Sequence, residues 1–420
     1  MDDIHVVRKS DNREHATIQI PTPTEPLGLS SVRVRSSLLS LSSMNLAYAR
    51  GGTRLHWWDA YPVPATVPAP YNDQSQWGIV PAWGIATVVD STIPEIPIGT
   101  RLRGLWPTSS HAVDLQLTAT DAPGHWKEVS SHRRDLMPLY GRYRVFDTAG
   151  KDLVQFGWDV SVGFTVAGYV LSEYVFTPDP ANHPPIHPFT ETGKWTVEDS
   201  DLSSSVFVSL AASTKTARSM AYNFFCRPEG AGPLGFLQVT SSPGAIAEAA
   251  QKFLPRFPVR AMAYEDVAEA GEWVAAVKPE RVVIADFGAR DGALDAIVKA
   301  IEGTSELQSV KLTILAVGNQ QKVLTSDEVL DAQQSFVSLK KLQMNTSSIQ
   351  ETAIRLRGLA AFSEESDKRW KHWLENRECA APDLRLSWGQ GVVGVEGIEG
   401  GWDALCQSKV RPEEALVYRI

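Results

Sequence analysis

The chain has 420 residues, 43% hydrophobic and 21% charged, with a formal net charge of −9. That length is about twice what one core usually supports, so two domains are expected, and the apolar share excludes wholesale disorder. The acidic balance, with no block of lysine and arginine, argues against nucleic acid or an anionic membrane as partner.

Cys226, Cys379 and Cys406 are widely spaced and form no Cys-x-x-Cys pair. Free thiols in a reducing cytoplasm are therefore expected. The opening Met1–His15 is polar and charged, without the apolar core of a secretory signal. No apolar run reaches the roughly 18 residues that would suggest a membrane span.

In chain order, Ser31–Arg35, Gly84–Asp90 and His111–Leu117 alternate or run apolar over strand lengths. Prolines at 62, 64, 68, 70, 94 and 97 punctuate them, and proline lacks an N–H for a sheet ladder. The first part reads as a β-rich domain with long loops. Leu153–Phe176 is apolar and aromatic, which predicts one or two helices, and Pro178–Pro185 must be a loop.

From residue 204 the period changes. Strands are predicted at 206–210, 235–240, 259–264, 281–286 and 311–318, with helices at 214–225, 245–253 and 292–301. Apolar strands alternating with helices predict a parallel, doubly wound sheet of the α/β class. The tail reads as a charged helix near 364–377, a β-like stretch at 384–394, a helix at 401–406 and a terminal strand at 415–420.

This order of parts resembles the zinc-independent medium-chain dehydrogenase/reductase superfamily. Ser43-Met44-Asn45-Leu46-Ala47-Tyr48-Ala49-Arg50-Gly51-Gly52 is similar to a stretch of its quinone and enoyl reductases. Trp77–Val89 followed by Ile98–Gly104, and the ending Ser408-Lys409-Val410 before a strand, also fit. The match looks closer to a branch of unknown function, which carries the Ser209–Ala217 loop. The resemblance implies a GroES-like β-rich substrate domain over 1–150 and 350–420, and a Rossmann-like nucleotide-binding-type domain over 151–349. It also implies a homodimer.

The first strand of a dinucleotide site is normally followed by glycines, which let the backbone approach a pyrophosphate at a helix N-terminus. Here Ala211-Ala212-Ser213-Thr214-Lys215-Thr216 follows, small but glycine-free. Ser213 and Thr214 either cap the helix or offer hydroxyls, and Lys215 either meets a phosphate or is a plain surface lysine. The second strand ends in Thr240-Ser241-Ser242. No acid is present to bind ribose hydroxyls, so NADPH is favoured over NADH if a cofactor binds; otherwise the serines simply begin a turn. Asp286 and Gly318 close two further strands, where open α/β sheets bind ligands or merely turn.

No cysteine precedes residue 226, so the zinc ligands of metal-dependent relatives are missing and no metal is expected. His183 and His187 have helical ligand spacing, but the prolines around them rule out a helix. The resemblance places Tyr48 and Asn45 near a substrate carbonyl. Ser110 and His111 fall where the family's chain passes its cleft, with His111 either a general acid or a structural histidine. The tryptophans at 57, 58, 77, 83 and 106 are either core or the walls of a pocket for a flat apolar substrate.

Three readings follow. The first is an NADPH-dependent, zinc-independent reductase of an enone, quinone or carbonyl in a hydrophobic small molecule, of the kind met in secondary metabolism. The second is a redox-independent lyase, isomerase or cyclase on a scaffold that no longer binds dinucleotide. The third is a non-catalytic binding subunit.

Overall fold

The structure is a computed structural model and describes residues 1–161 and 165–420. The chain forms two compact units. One comprises Met1–Gly163, Gln321–Val323 and Arg385–Ile420; the other comprises Phe164–Gln320 and Leu324–Leu384. The boundaries thus fall at 163 and 385 rather than 150 and 350.

In the first unit, β1 (Asp2–Arg8) pairs antiparallel with β2 (His15–Ile20). This corrects the reading of the N-terminus as merely polar. Ile4, Val6 and Val7 are buried there, but charged neighbours hide the pattern. After β3 (Ser31–Leu41), helix α1 (Ser43–Gly51) is entered through a capping box between Ser42 and Asn45. Then follow β4 (Trp77–Gly78), β5 (Pro81–Ser91), β6 (Arg101–Pro107), β7 (Val113–Ala119), β8 (His125–Glu128) and β9 (Arg142–Val145). The ladder β3-β5-β6-β9-β8-β7 returns to β3 and closes a barrel, which leaves no free edge along that circuit. On β3, Val32 and Val34 enter the core, while Arg33 and Arg35 meet the carboxylates of Asp114 and Asp2. Helix α2 (Leu153–Ser161) belongs to this unit.

The expected helical stretch 153–176 continues with helices at Thr165–Val170 and Leu171–Val175; residues 162–164 lie outside the described residues. The second unit holds β10 (Ser205–Leu210), α3 (Lys215–Phe225), β11 (Gly235–Thr240), α4 (Pro243–Phe253) and β12 (Val259–Ala263). Next come α5 (Ala270–Val277), β13 (Arg281–Phe287), α6 (Ala293–Glu302), β14 (Lys311–Gly318) and β15 (Leu342–Gln343). All pairings are parallel, in the order β12-β11-β10-β13-β14-β15. This is the doubly wound order in which ligands bind where it reverses, between β10 and β13. One face packs Val206, Val208 and Ile284 against Val274 and Ile297. The other carries Phe207, Phe224 and Phe236 edge to face.

Helices α7 (Thr346–Arg357) and α8 (Leu359–Glu375) explain the later boundary. Ile349, Ala353 and Phe362 are buried in the second unit, and Phe362 lies 6.2 Å from Tyr169. Back in the first unit, β16 (Arg385–Gln390), α9 (Ile398–Cys406) and β17 (Glu414–Arg419) complete the chain. β17 sits between β16 and β3. Among the described residues, no helix is long and apolar enough to cross a membrane.

Candidate functional site

At the end of β10 the backbone turns sharply. Ala211 has φ +57°, a left-handed conformation that costs an L-residue about 1–2 kcal/mol and is normally left to glycine. The chain therefore makes a glycine-like turn with alanine. The Ala212 N–H donates to Val239 O at 3.0 Å, and the Thr214 N–H to Ala211 O at 3.0 Å. Thr214 caps α3, its Oγ1 accepting the Ala217 N–H. Ser213 is buried, while Lys215 and Thr216 are half-buried in the first helical turn.

Arg218 braces this turn. Its Nε donates to Ser213 O at 2.8 Å, and its two Nη groups donate to Asp383 at 2.6 and 2.8 Å. Small side chains, three hydroxyls, an ammonium and a helix N-terminus are groups of the kind that can hold a phosphate.

The other predicted contacts lie at the same end of the same sheet. Thr240 Oγ1 accepts the Ser242 N–H at 3.2 Å, and Ser241 is exposed. The Ser242 side chain makes no capping bond, and Pro243 opens α4 behind it. Asp286, in register with Leu210, uses Oδ1 to accept the N–H groups of Gly288 and Ala289 at 3.0 and 2.8 Å. Gly318 lies so near β13 that a Cβ there would come within 2.5 Å of Phe287 O. These two residues shape the strand ends.

In the first unit, Tyr48 is buried among Trp57, at 4.7 Å between ring centroids, and Tyr140, at 5.7 Å. Its hydroxyl accepts from Trp83 Nε1 at 2.8 Å and donates to Met44 Sδ at 2.9 Å. Burial pushes this phenol well above its ordinary pKa of 10, and the Trp83 N–H partly opposes that shift. Asn45 is engaged at both ends: its Oδ1 accepts the Ser42 N–H at 2.8 Å and its Nδ2 donates to Pro81 O at 2.9 Å. Ser110 Oγ accepts the Asp3 N–H at 2.8 Å and so ties down β1.

His111 is buried and lines a cavity, with Nδ1 3.5 Å from Asp2 Oδ2; burial lowers its pKa. The tryptophans line no part of this cavity. Trp57, Trp58 and Trp106 are core side chains, and Trp106 Nε1 donates to Gly84 O at 3.0 Å. His183 pairs with Glu365 at 3.0 Å, while His187 accepts the N–H groups of Phe189 and Thr190. Among the described residues no three His, Cys, Asp or Glu side chains converge as metal ligands. The Arg218–Asp383 brace escapes sequence reasoning, because it depends on a tertiary contact.

A barrel-containing β-rich unit and a six-stranded parallel unit give the chain a GroES-like and a Rossmann-like half. The chain belongs to the family described as protein of unknown function (DUF2855), whose model matches residues 39–411. No curated protein matches the sequence. Among solved structures, the chain is similar to CurA from Vibrio vulnificus in complex with NADPH, at 12% identity and a TM-score of 0.50, over 96% of this chain and 94% of that one. A second CurA structure from the same organism also aligns at 12% identity and a TM-score of 0.50, over 99% of this chain and 98% of that one. At this identity the likeness is one of fold.

Proposed function

We propose that the protein is an NADPH-dependent, zinc-independent reductase acting on an enone, quinone or carbonyl of a hydrophobic small molecule. The observation that carries this reading is Ala211, held in a left-handed turn at the point where the strand order reverses. Backbone strain of this kind is retained at functional sites, and this is where a dinucleotide phosphate would lie. The NADPH named in the CurA complex supports the same reading.

Ser213, Thr214, Lys215 and Thr216 would hold the pyrophosphate. Ser241 and Ser242, with no carboxylate beside them, would accept a 2′-phosphate. Bound NADPH supplies a hydride. Tyr48, kept protonated by burial, supplies a hydrogen bond or proton to the substrate oxygen, and the Trp83 N–H steadies the charge left on its own oxygen. The reading includes a cytoplasmic setting in secondary metabolism and a homodimer joined at an edge of the six-stranded sheet.

A redox-independent lyase, isomerase or cyclase is favoured by one observation. The N–H groups of Ala212 and Thr214 are already taken inside the chain, leaving fewer backbone donors for phosphate. Calorimetric titration separates the two. The reductase reading expects one NADPH per chain, bound at least about tenfold tighter than NADH. No heat and no change in tryptophan fluorescence at millimolar NADPH would overturn it.

A further inference from the structure

The first unit contains a cavity of about 160 Å³. Its floor is apolar, formed by the buried Ile4, Ala60 and Ile79, and the exposed Pro62 and His132 stand at its mouth. Asp114, also at the mouth, has both carboxylate oxygens taken by Arg33 at 2.7 and 2.9 Å, so its charge is offset.

Two lining side chains are buried, each with an acidic neighbour and one nitrogen that makes no hydrogen bond. Arg133 is 6% exposed. Its guanidinium lies 4.4 Å above the Tyr61 ring and donates through Nη1 to the Tyr143 hydroxyl at 2.7 Å. Its Nε has no acceptor: the Glu128 carboxylate is 3.7 Å away, beyond hydrogen-bond reach, and spends its other oxygen on the Ser130 N–H and hydroxyl. His111 Nδ1 likewise has no hydrogen bond, with Asp2 Oδ2 at 3.5 Å and itself unpaired. Arg133 and Glu128 thus form a buried ion pair too loose for a hydrogen bond, and a carboxylate brought to the cavity offers the Arg133 Nε the bond that Glu128 does not make.

We propose that this cavity binds a small organic anion, a monocarboxylate on a single ring or short apolar chain. The carboxylate meets Arg133 and His111, and the apolar body lies over Ile4, Ala60 and Ile79. The size fits, since a cavity of about 150 Å³ accommodates one benzene ring in other proteins. The chemistry fits as well, because the planar guanidinium fork matches a carboxylate. The proposal does not rest on cofactor binding.

The test is calorimetric titration of the full chain with benzoate, and with benzyl alcohol as a neutral body of similar size. The expected result is one benzoate per chain, bound at least about tenfold tighter than benzyl alcohol. Arg133→Met combined with Glu128→Gln removes both buried charges together and should abolish that preference, so that benzoate binds no tighter than the alcohol. Ala60→Leu fills the floor and should abolish binding of both; if it impairs folding, Val113→Phe fills the wall instead. No benzoate binding in the millimolar range, equal affinity for the two probes, or benzoate binding retained by a folded filled variant would overturn the proposal.

Discussion

Arg218 and Asp383 form a two-armed ion pair, 165 positions apart in the sequence, whose third arm is the Arg218 Nε bond to Ser213 O. The guanidinium is almost fully buried while the carboxylate reaches solvent. One side chain thus fixes the carbonyl of the turn after β10 and ties it to the last residues of the second unit.

Asp383→Asn should therefore destabilise the protein by about 2–3 kcal/mol, somewhat less than for a fully enclosed pair. Urea denaturation measures the loss. The same variant should weaken NADPH binding, since Ser213 loses its brace. An unchanged cofactor affinity would show that the brace serves stability alone.

Ala211→Gly should stabilise the fold by about 1 kcal/mol, because glycine occupies φ +57° without the Cβ penalty. Ala211→Val should do the opposite and weaken NADPH binding. Thermal unfolding of the two variants reads the sign directly.

Tyr48→Phe should lower kcat for a reducible substrate by about 100-fold while leaving NADPH affinity within about twofold. Trp83→Phe removes the N–H that favours the phenolate and should reduce kcat less. Equal loss of cofactor binding in both variants would mean the aromatic cluster acts through packing.

His5 is fully buried beside His15, and burial drives its pKa from 6.5 down to about 3. The unfolded chain therefore binds a proton that the folded chain refuses across that window. His5 imposes no penalty above pH 6.5, and below it stability falls by about 1.4 kcal/mol per pH unit toward pH 3. His5→Asn should flatten the acid limb by close to one proton, as read from urea midpoints between pH 4 and 7.

Much of the second unit is legible in the sequence, because strands buried on both faces read as largely apolar runs such as Val206–Leu210, broken only by Ser209. The β1–β2 hairpin is not, since Asp2, His5 and Arg8 interrupt its apolar positions and His5 is itself a core residue packed on Trp402. The helix Ser326–Ser338 and α7 are polar enough to pass for loop, with Ile349 and Ala353 the sparse signal of a buried face. At the turn after β10 the small residues can be read directly, whereas the left-handed sign of Ala211 is set by the surrounding fold. Asn45 reads as a polar candidate, yet its three-residue spacing from Ser42 already carries the signal of a cap.

The placement of β17 between β16 and β3 governs when the first unit can be completed during synthesis. Ser40 on β3 bonds a carbonyl 376 residues later in the chain, at Leu416. At about 5–20 residues per second the ribosome needs tens of seconds to supply that strand. During that interval the Leu38–Leu41 end of β3, which finally pairs with Leu416–Arg419, presents open backbone groups. A nascent chain stalled inside the second unit therefore carries Leu38–Leu41 without its final partner strand.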